Sequence, residues 1–339
     1  MSDHSTIATP SGLAADNEFR ARPTSSVSMT ELAEPAYRPW LARFTKTTAG
    51  MTFLLIVVGA LVTGNKAALS DPTWPAFVGQ PLPTARTFVG GLIYEDSHRV
   101  LAGLTGLLTL IQAIILQRVE PRRRVRTLGW AAFGTVVAQA LLGGLIIHSM
   151  RNPWVSVVHG ILAQSFLVLM TAIAFMESRA WLAGHAPTFA AGASGLAKQL
   201  RAATIIAFLQ LILGAGVRHS QTGFVSHLTF HIAGGVILAG LILFLTIRAF
   251  GQFAEHRFLT RALGSLSAAV VIQMLLGAAA VFANRARPEP EVAQLHHVVV
   301  STGHVALGAA ILVGLLLTAM AVRRRLHEGN QGREGDKPS

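Results

Sequence analysis

Four histidines of the sequence share one spacing and one position, close to the start of a long apolar stretch: His98, His159, His231 and His304. Each is followed four residues later by a small residue, namely Ala102, Ala163, Gly235 and Gly308. Residues four apart share one face of an α-helix, so a flat macrocycle could lie against the backbone beside each imidazole. Two such histidines on facing helices can bind one haem iron from opposite sides. The spacing therefore favours two haem sites, one from the first two histidines and one from the last two.

Other roles remain open for these histidines, namely a hydrogen-bonded surface residue, a proton relay or a non-haem metal site. His227 lies four residues before the third histidine and shares its helical face. His297 lies seven residues before the fourth. Either could be the ligand instead, or could contact a haem propionate. Three further histidines are expected to be structural or to lie near propionates: His148, His219 and His296.

Glu95 lies three residues before His98 and therefore shares its helical face. A carboxylate beside a haem can accept protons or position water. Arg99 is placed to bind a haem propionate through a strong bidentate ion pair. The alternative is an acidic helix terminus that complements the helix dipole, with Arg99 reaching towards the membrane interface. We prefer this alternative for the neighbouring Asp96.

Eight apolar stretches carry these residues, each close to the ~20 residues that cross ~30 Å of hydrocarbon. We place them at 47–64, 98–117, 127–147, 155–176, 199–217, 227–249, 263–283 and 297–322. Only 13% of the residues are charged and 52% are hydrophobic, with a mean hydropathy of +0.51, which excludes an ordinary soluble protein. The absence of Cys excludes disulfides, iron–sulfur clusters and thiolate metal sites. The sequence therefore predicts an all-α polytopic membrane protein.

The basic residues predict the orientation of the eight helices. Both termini and three of the loops lie on one side, which carries 21 of the 28 Lys and Arg residues. The positive-inside rule places that side in the cytoplasm and the four histidines near the outer face. The net charge of +12 is therefore chiefly an orientation signal, and we expect no nucleic-acid partner.

Three similar stretches favour an internal repeat: Gln139-Ala-Leu-Leu-Gly143, Gln210-Leu-Ile-Leu-Gly214 and Gln273-Met-Leu-Leu-Gly277. Each ends late in an odd-numbered span and precedes a short outer loop and a histidine-bearing span. We therefore predict two pseudo-repeated four-helix bundles. The predicted parts are a disordered cytoplasmic extension (1–45), an N-terminal half (46–180), a cytoplasmic linker (181–198), a C-terminal half (199–325) and a disordered tail (326–339).

Several motifs resemble those of the haem A synthase family of cytochrome oxidase assembly proteins. They are Glu95-x-x-His98-Arg99, Gly59-Ala-Leu-Val-Thr-Gly64 before Leu69-Ser-Asp-Pro-Thr-Trp74-Pro75, and the Gln139–Gly143 stretch before Val158-His159. The resemblance covers about 45–325 and implies eight helices in two halves. It also implies oxidation of a methyl group of haem O to a formyl group through two hydroxylations, giving haem A for terminal oxidases.

The resemblance further implies that the two halves bind different haems and have different roles. His98 and His159 would hold the substrate or product haem, with Glu95 as the catalytic proton acceptor. His231 and His304 would hold a haem b that passes electrons away. The implied surroundings are the lipid of the bacterial inner membrane, with haem O synthase, oxidase assembly components, an unknown electron acceptor and further copies of the chain as candidate partners.

The sequence departs from the family pattern in three places. Many bacterial members have a cysteine pair in an outer loop, and this chain has no Cys. The second His-Arg motif reads His231-Ile232, and His297 competes with His304 as fourth ligand. We choose His304 because the apolar stretch continues beyond it about as far as beyond His159. Two other functions remain open: a non-catalytic haem-binding assembly factor, and a di-haem carrier of electrons from quinol.

Overall fold

The computed structural model describes residues 36–84, 89–150, 152–182, 188–219, 224–285 and 294–327. Most of the predicted extension 1–45 and of the tail 326–339 lies outside these ranges, as do residues 183–187 of the linker. Within the described ranges, eight helices are long and apolar enough to cross a membrane. The eight-helix, all-α prediction is therefore confirmed.

The long helices are α1 (Pro39–Gly64), α2 (Leu92–Val119), α3 (Arg123–His148), α4 (Pro153–Met176), α6 (Ala193–His219), α7 (Phe224–Gln252), α8 (Arg257–Arg285) and α9 (Leu295–Arg325). A single turn, α5 (Arg179–Leu182), follows α4, and strand β1 (Thr188–Phe189) pairs in parallel with β2 (Leu326–His327). All eight helices begin before the predicted apolar stretches, because polar residues continue the helix beyond the hydrocarbon. The small strand pair was not predicted from the sequence.

Each half of the chain forms a ring of four helices. In the first half α1 packs on α2, α2 on α3, α3 on α4, and α4 returns to α1. The second half repeats this pattern with α6, α7, α8 and α9. The two rings meet where α1 and α4 contact α6 and α9. Within each ring, the two histidine-bearing helices stand diagonally across the bundle, so their side chains can meet in its interior.

Tight apolar packing is concentrated at one end of both rings. Fully buried side chains of the first half come from the start of α1 and α3 and from the end of α2 and α4, including Leu41, Leu116, Met170 and Ile173. The second half has the equivalent set, including Leu196, Leu200, Phe253, Leu259 and Leu263. The four predicted ligand histidines lie towards the other end, which we call the histidine end. The main apolar core therefore lies at the end of the bundle away from the imidazoles.

Ion pairs add to the first half at the end opposite the histidine end. Arg122 binds Glu120, with 2.5 Å between Nε and the carboxylate, and also binds Glu177 on the far side of the ring. Burial raises the pKa of Glu177 to about 7, although the nearby guanidinium opposes this shift. The cluster joins the ends of α2, α3 and α4.

The outward faces of the helices carry large exposed apolar side chains, such as Ile205, Ile247, Leu275 and Phe282. In water, so many exposed apolar groups would make a soluble protein aggregate. In a bilayer, the same side chains simply face lipid. The exposure pattern thus supports the prediction of a multi-pass membrane protein.

The sidedness of the bundle remains a prediction and can be tested with reporter fusions. Alkaline phosphatase, which is active only outside the cytoplasm, should be active when fused after Gly79, between α1 and α2. It should be inactive when fused after Arg325, at the end of α9. The reverse pattern of activity would show that the charge-based orientation is wrong.

Candidate functional site

Each of the four predicted ligand histidines packs against a glycine of the long helix that precedes its own. The pairs are Gly59–His98, Gly143–His159, Gly214–His231 and Gly277–His304. A Cβ atom added at these glycines would lie 2.9, 3.9, 3.1 and 3.0 Å, in that order, from the ring atom Cε1. Three of the four contacts leave little or no room for a side chain. The glycines therefore let the helix backbone touch the flat imidazole and fix its position.

One of these helices, α8, also contacts its imidazole ring through the backbone. His304 Nδ1 lies 3.2 Å from the carbonyl oxygen of Gln273, four residues before the glycine. The Nδ1 atoms of His98, His159 and His231 are buried and have no hydrogen-bond partner among the described residues. For His304, a carbonyl next to Nδ1 favours the tautomer that carries its proton there, which leaves Nε2 to bind a metal.

The repeated glutamines hold the histidine-bearing helices in register. Gln139 Nε2 donates to the carbonyl oxygen of His159, and Gln273 Nε2 donates to that of His304, each over 3.0 Å. A Cβ atom at Gly308 would lie 3.1 Å from the Gln273 amide nitrogen. This small residue, one turn after its histidine, therefore makes room for the glutamine. The spacing alone predicts only that this small residue leaves room for a flat macrocycle.

The second histidine pair has the separation that axial ligation of one iron requires. The ring centroids of His231 and His304 are 6.1 Å apart, with the ring planes at 77°. Two metal–imidazole bonds of about 2 Å each, extended to the ring centres, give a centroid separation of about 6 Å. The second pair therefore fits a haem iron, and His98 and His159 are carried by the equivalent diagonal helices of the first half, α2 and α4.

A non-haem metal fits these residues less well. Among the described residues, no three His, Asp or Glu side chains come together as a metal-binding group. Protein sites for zinc and similar ions use three or four protein ligands, whereas haem brings four nitrogens of its own and needs two. Two histidines per half therefore favour haem over the competing metal site.

Beside the first pair lies a cluster of three carboxylates around one guanidinium. Arg99 is 2.9 Å from Asp71, 2.8 Å from Glu95 and 3.5 Å from Asp96. Its terminal nitrogens also donate to carbonyl oxygens of the segment 71–76. The role of Arg99 as a propionate partner stays a prediction, since the structure gives these donors a second task, which is to hold this segment against α2.

Glu95 is held in place by two donors at the wall of the first half. One carboxylate oxygen accepts from the backbone nitrogen of Asp71 over 3.0 Å, and the other accepts from Arg99. The side chain is buried, with 6% of the residue exposed. Its place in the first turn of α2, three residues before His98, agrees with the shared helical face inferred from the sequence.

Asp71 is the main residue that the sequence reasoning left without a role. Only 1% of it is exposed, and its carboxylate accepts from Thr73, the Val78 nitrogen and Arg99. Burial alone would raise the pKa of Asp71, but these donors outweigh it and lower the pKa below its ordinary value. The signal was present, because a carboxylate in the motif at 69–75 of so apolar a chain needs a partner.

The environment of Asp96 differs from that expected for an acidic residue that only complements the helix dipole. It is fully buried on the second turn of α2, and neither carboxylate oxygen has a hydrogen-bond partner. Its nearest charge is Arg99. The cluster thus holds three carboxylates and one guanidinium, so it is acidic unless a proton is bound.

The segment between α1 and α2 folds over the histidine end of the first half. The ring of Trp74 lies against Gly144, where an added Cβ would come within 2.8 Å of it. Trp74 also meets His148 edge to face, with 6.5 Å between the ring centroids, and His148 Nδ1 is 2.9 Å from the Gly144 carbonyl oxygen. His148 is therefore structural here, which is one of the two roles expected for it.

The alternate ligands occupy other positions. The ring of His227 lies against Gly216, where an added Cβ would be 3.6 Å away. His297 lies in the first turn of α9, two turns before His304. The choice of His231 and His304 as the ligand pair stays a prediction, supported by the 6.1 Å between their ring centroids.

The chain is similar to known proteins of one family. Residues 42–238 match the family described as cytochrome oxidase assembly protein. The chain is 28% identical over 265 residues to the haem A synthase of Alkalihalophilus pseudofirmus, covering 71% of this chain and 86% of that protein. It is 31% identical over 191 residues to the haem A synthase of Geobacillus kaustophilus, covering 54% and 56%. It is 28% identical over 198 residues to the haem A synthase of Lysinibacillus sphaericus, covering 56% of this chain and 60% of that protein. These last two matches span less than two thirds of the relatives' length.

Replacing a glycine that touches an imidazole should displace the ring and empty its haem site. We expect Gly277→Val to lose roughly half of the bound haem, because one of the two sites fails while the other remains. The measurement is haem per protein in purified material. Gly240→Val is the matched control, since it adds the same side chain to a helix where nothing lies within 4 Å. Equal haem content in the two variants would contradict the role of the glycine.

The two candidates for the fourth ligand can be separated by single substitutions. His304→Ala should abolish low-spin haem in the second half, whereas His297→Ala should retain it. The amount of low-spin haem is measured from absorption and electron paramagnetic resonance spectra of the purified proteins. Loss of the signal in His297→Ala alone would identify His297 as the ligand.

Proposed function

The chain belongs to the family of cytochrome oxidase assembly proteins, and we propose that it is a haem A synthase, an oxidoreductase of the bacterial inner membrane that oxidises a methyl group of haem O to the formyl group of haem A. The observation that carries the proposal is the set of four glycine-backed imidazoles, paired across the interior of each half. The membrane location agrees with eight apolar helices and with bacterial relatives. Haem O enters as substrate and haem A leaves as product.

The first half is the proposed reaction site, with His98 and His159 holding the substrate haem. Among the described residues, buried carboxylates lie next to this pair and not next to the second pair. At the equivalent positions of α7, Leu228 and Thr229 precede His231. Oxidation of a methyl group removes hydrogen from its carbon, so protons have to leave the reacting group. A carboxylate beside the substrate meets that need, and electron transfer alone does not require one.

Glu95 is the proposed proton acceptor. The Asp71 backbone nitrogen and the Arg99 guanidinium each bind one of its oxygens, which fixes the orientation of the carboxylate. Asp96 lies one residue further along α2 and is fully buried. Trp74 and the segment 65–84 cover this end of the first half, which limits the access of water to the reacting group.

The second half is the proposed electron-transfer site, with haem b between His231 and His304. When bound there, haem b supplies reversible one-electron chemistry. The backbone carbonyl beside His304 keeps that ring oriented, and the glycines of α6 and α8 hold both rings from behind. Haem O and haem A are carried in the membrane, so haem O synthase and oxidase assembly components are the proposed partners.

Substitution of Glu95 tests the catalytic half of this proposal. We expect Glu95→Gln to keep its bound haem, because the amide has nearly the same shape and can still accept from Asp71. Conversion of haem O to haem A should fall by about 10²–10⁴-fold, the usual contribution of a general base. The measurement is the ratio of haem A to haem O extracted from membranes, with total haem determined as the pyridine haemochrome.

The control for this substitution is Glu255→Gln, which makes the same change at an exposed carboxylate between α7 and α8. It should convert haem O as the unmodified protein does. If Glu95→Gln also gave an unchanged yield of haem A, Glu95 would have no catalytic role. A non-catalytic assembly factor or an electron carrier would then explain the protein better.

A further inference from the structure

Arg218 lies in the last turn of α6, at the boundary between the two halves. Its Nη2 donates to the carbonyl oxygen of Ala60 in α1 over 2.8 Å. Ala60 follows Gly59, the glycine that supports His98. The charge of Arg218 also acts on His304, which lies in the same half as Arg218 itself. One guanidinium thus stands next to both candidate haem sites.

This guanidinium has no carboxylate partner within the described part of the chain, where Arg99, Arg122 and His256 make all the ion pairs closer than 4.0 Å. A cation in the interior of a membrane protein is costly unless an anion or a set of dipoles compensates its charge. The one carbonyl oxygen from Ala60 is weak compensation. Arg99, by contrast, is surrounded by three carboxylates. Among the described residues Arg218 therefore lacks an anion, whereas Arg99 has three.

The position of Arg218 along α6 places it beside the second haem site. It follows Gly214 by four residues, so both lie on the same face of the helix. Gly214 touches the ring of His231, and Arg218 lies one turn closer to the histidine end. The residues four positions after the other three glycines carry no charge: Thr63, Ile147 and Val281. The cation is specific to this one of the four repeats.

We infer that Arg218 binds a propionate carboxylate of the haem held between His231 and His304. This inference rests on the proposed function, which places a haem in the second half, and it adds the group that anchors the edge of that haem. A haem propionate is a carboxylate on a flexible arm at the rim of a flat ring, and the planar guanidinium can bind it through two parallel hydrogen bonds. The bound carboxylate would also neutralise the cation between the two halves.

The test compares two ligands that differ only in their carboxylates, namely haem b and its dimethyl ester. Full-length protein carrying His98→Ala, so that only the second site is read, is purified in detergent, stripped of haem and titrated with each ligand. We expect haem b to bind about tenfold more tightly than the ester, as one charge-assisted pair provides. Adding Arg218→Gln should remove this preference while leaving the affinity for the ester unchanged.

Two further proteins make the result specific. Arg218→Lys keeps the charge and should retain part of the preference, which guards against a folding defect in the Gln variant. Arg201→Gln removes an exposed charge from the same helix, roughly 25 Å away, and should keep the full preference. An equal preference in the Arg218→Gln protein and its parent would overturn the inference and leave the proposed function standing. If the parent bound no haem of either kind, the haem assignment of the proposed function would fail first.

Discussion

The close contact between a helix backbone and an imidazole ring is the constraint on which the whole arrangement depends. A backbone can approach a flat ring this closely only where a helix has no side chain, and the chain meets that condition at Gly59, Gly214 and Gly277, with a looser contact at Gly143. The contact sets the distance between neighbouring helices at the histidine end. The dense apolar core at the other end holds the helices at that distance, so the imidazoles are positioned before any haem binds.

The two halves share this arrangement of helices, but the charged residues near their histidines differ in sign. In the first half Arg99 is enclosed by Asp71, Glu95 and Asp96, which gives an acidic wall next to His98. In the second half Arg218 stands without a carboxylate among the described residues. An acidic wall suits the removal of protons from a substrate, and an isolated cation suits the binding of a haem carboxylate. The same fold can therefore support chemistry in one half and electron transfer in the other.

Much of this could be predicted from the sequence, because hydropathy and helical spacing are local properties. They gave the eight helices, the four histidines and the shared face of Glu95 and His98. What could not be predicted depends on contacts between helices. The small residue after each histidine was assigned to haem, whereas Gly308 makes room for a glutamine of the neighbouring helix. The partner of Arg99 is Asp71, 28 residues away in the sequence, and only chain folding brings them together.

The central claim is that the protein converts haem O to haem A. The most direct test is to extract haem from membranes of cells that make haem O, with and without the full-length protein, and to separate the haems by chromatography. The structure and the family membership predict that haem A appears only when the protein is present. Haem O and haem b without haem A, in cells where the protein is folded and carries haem, would contradict the account.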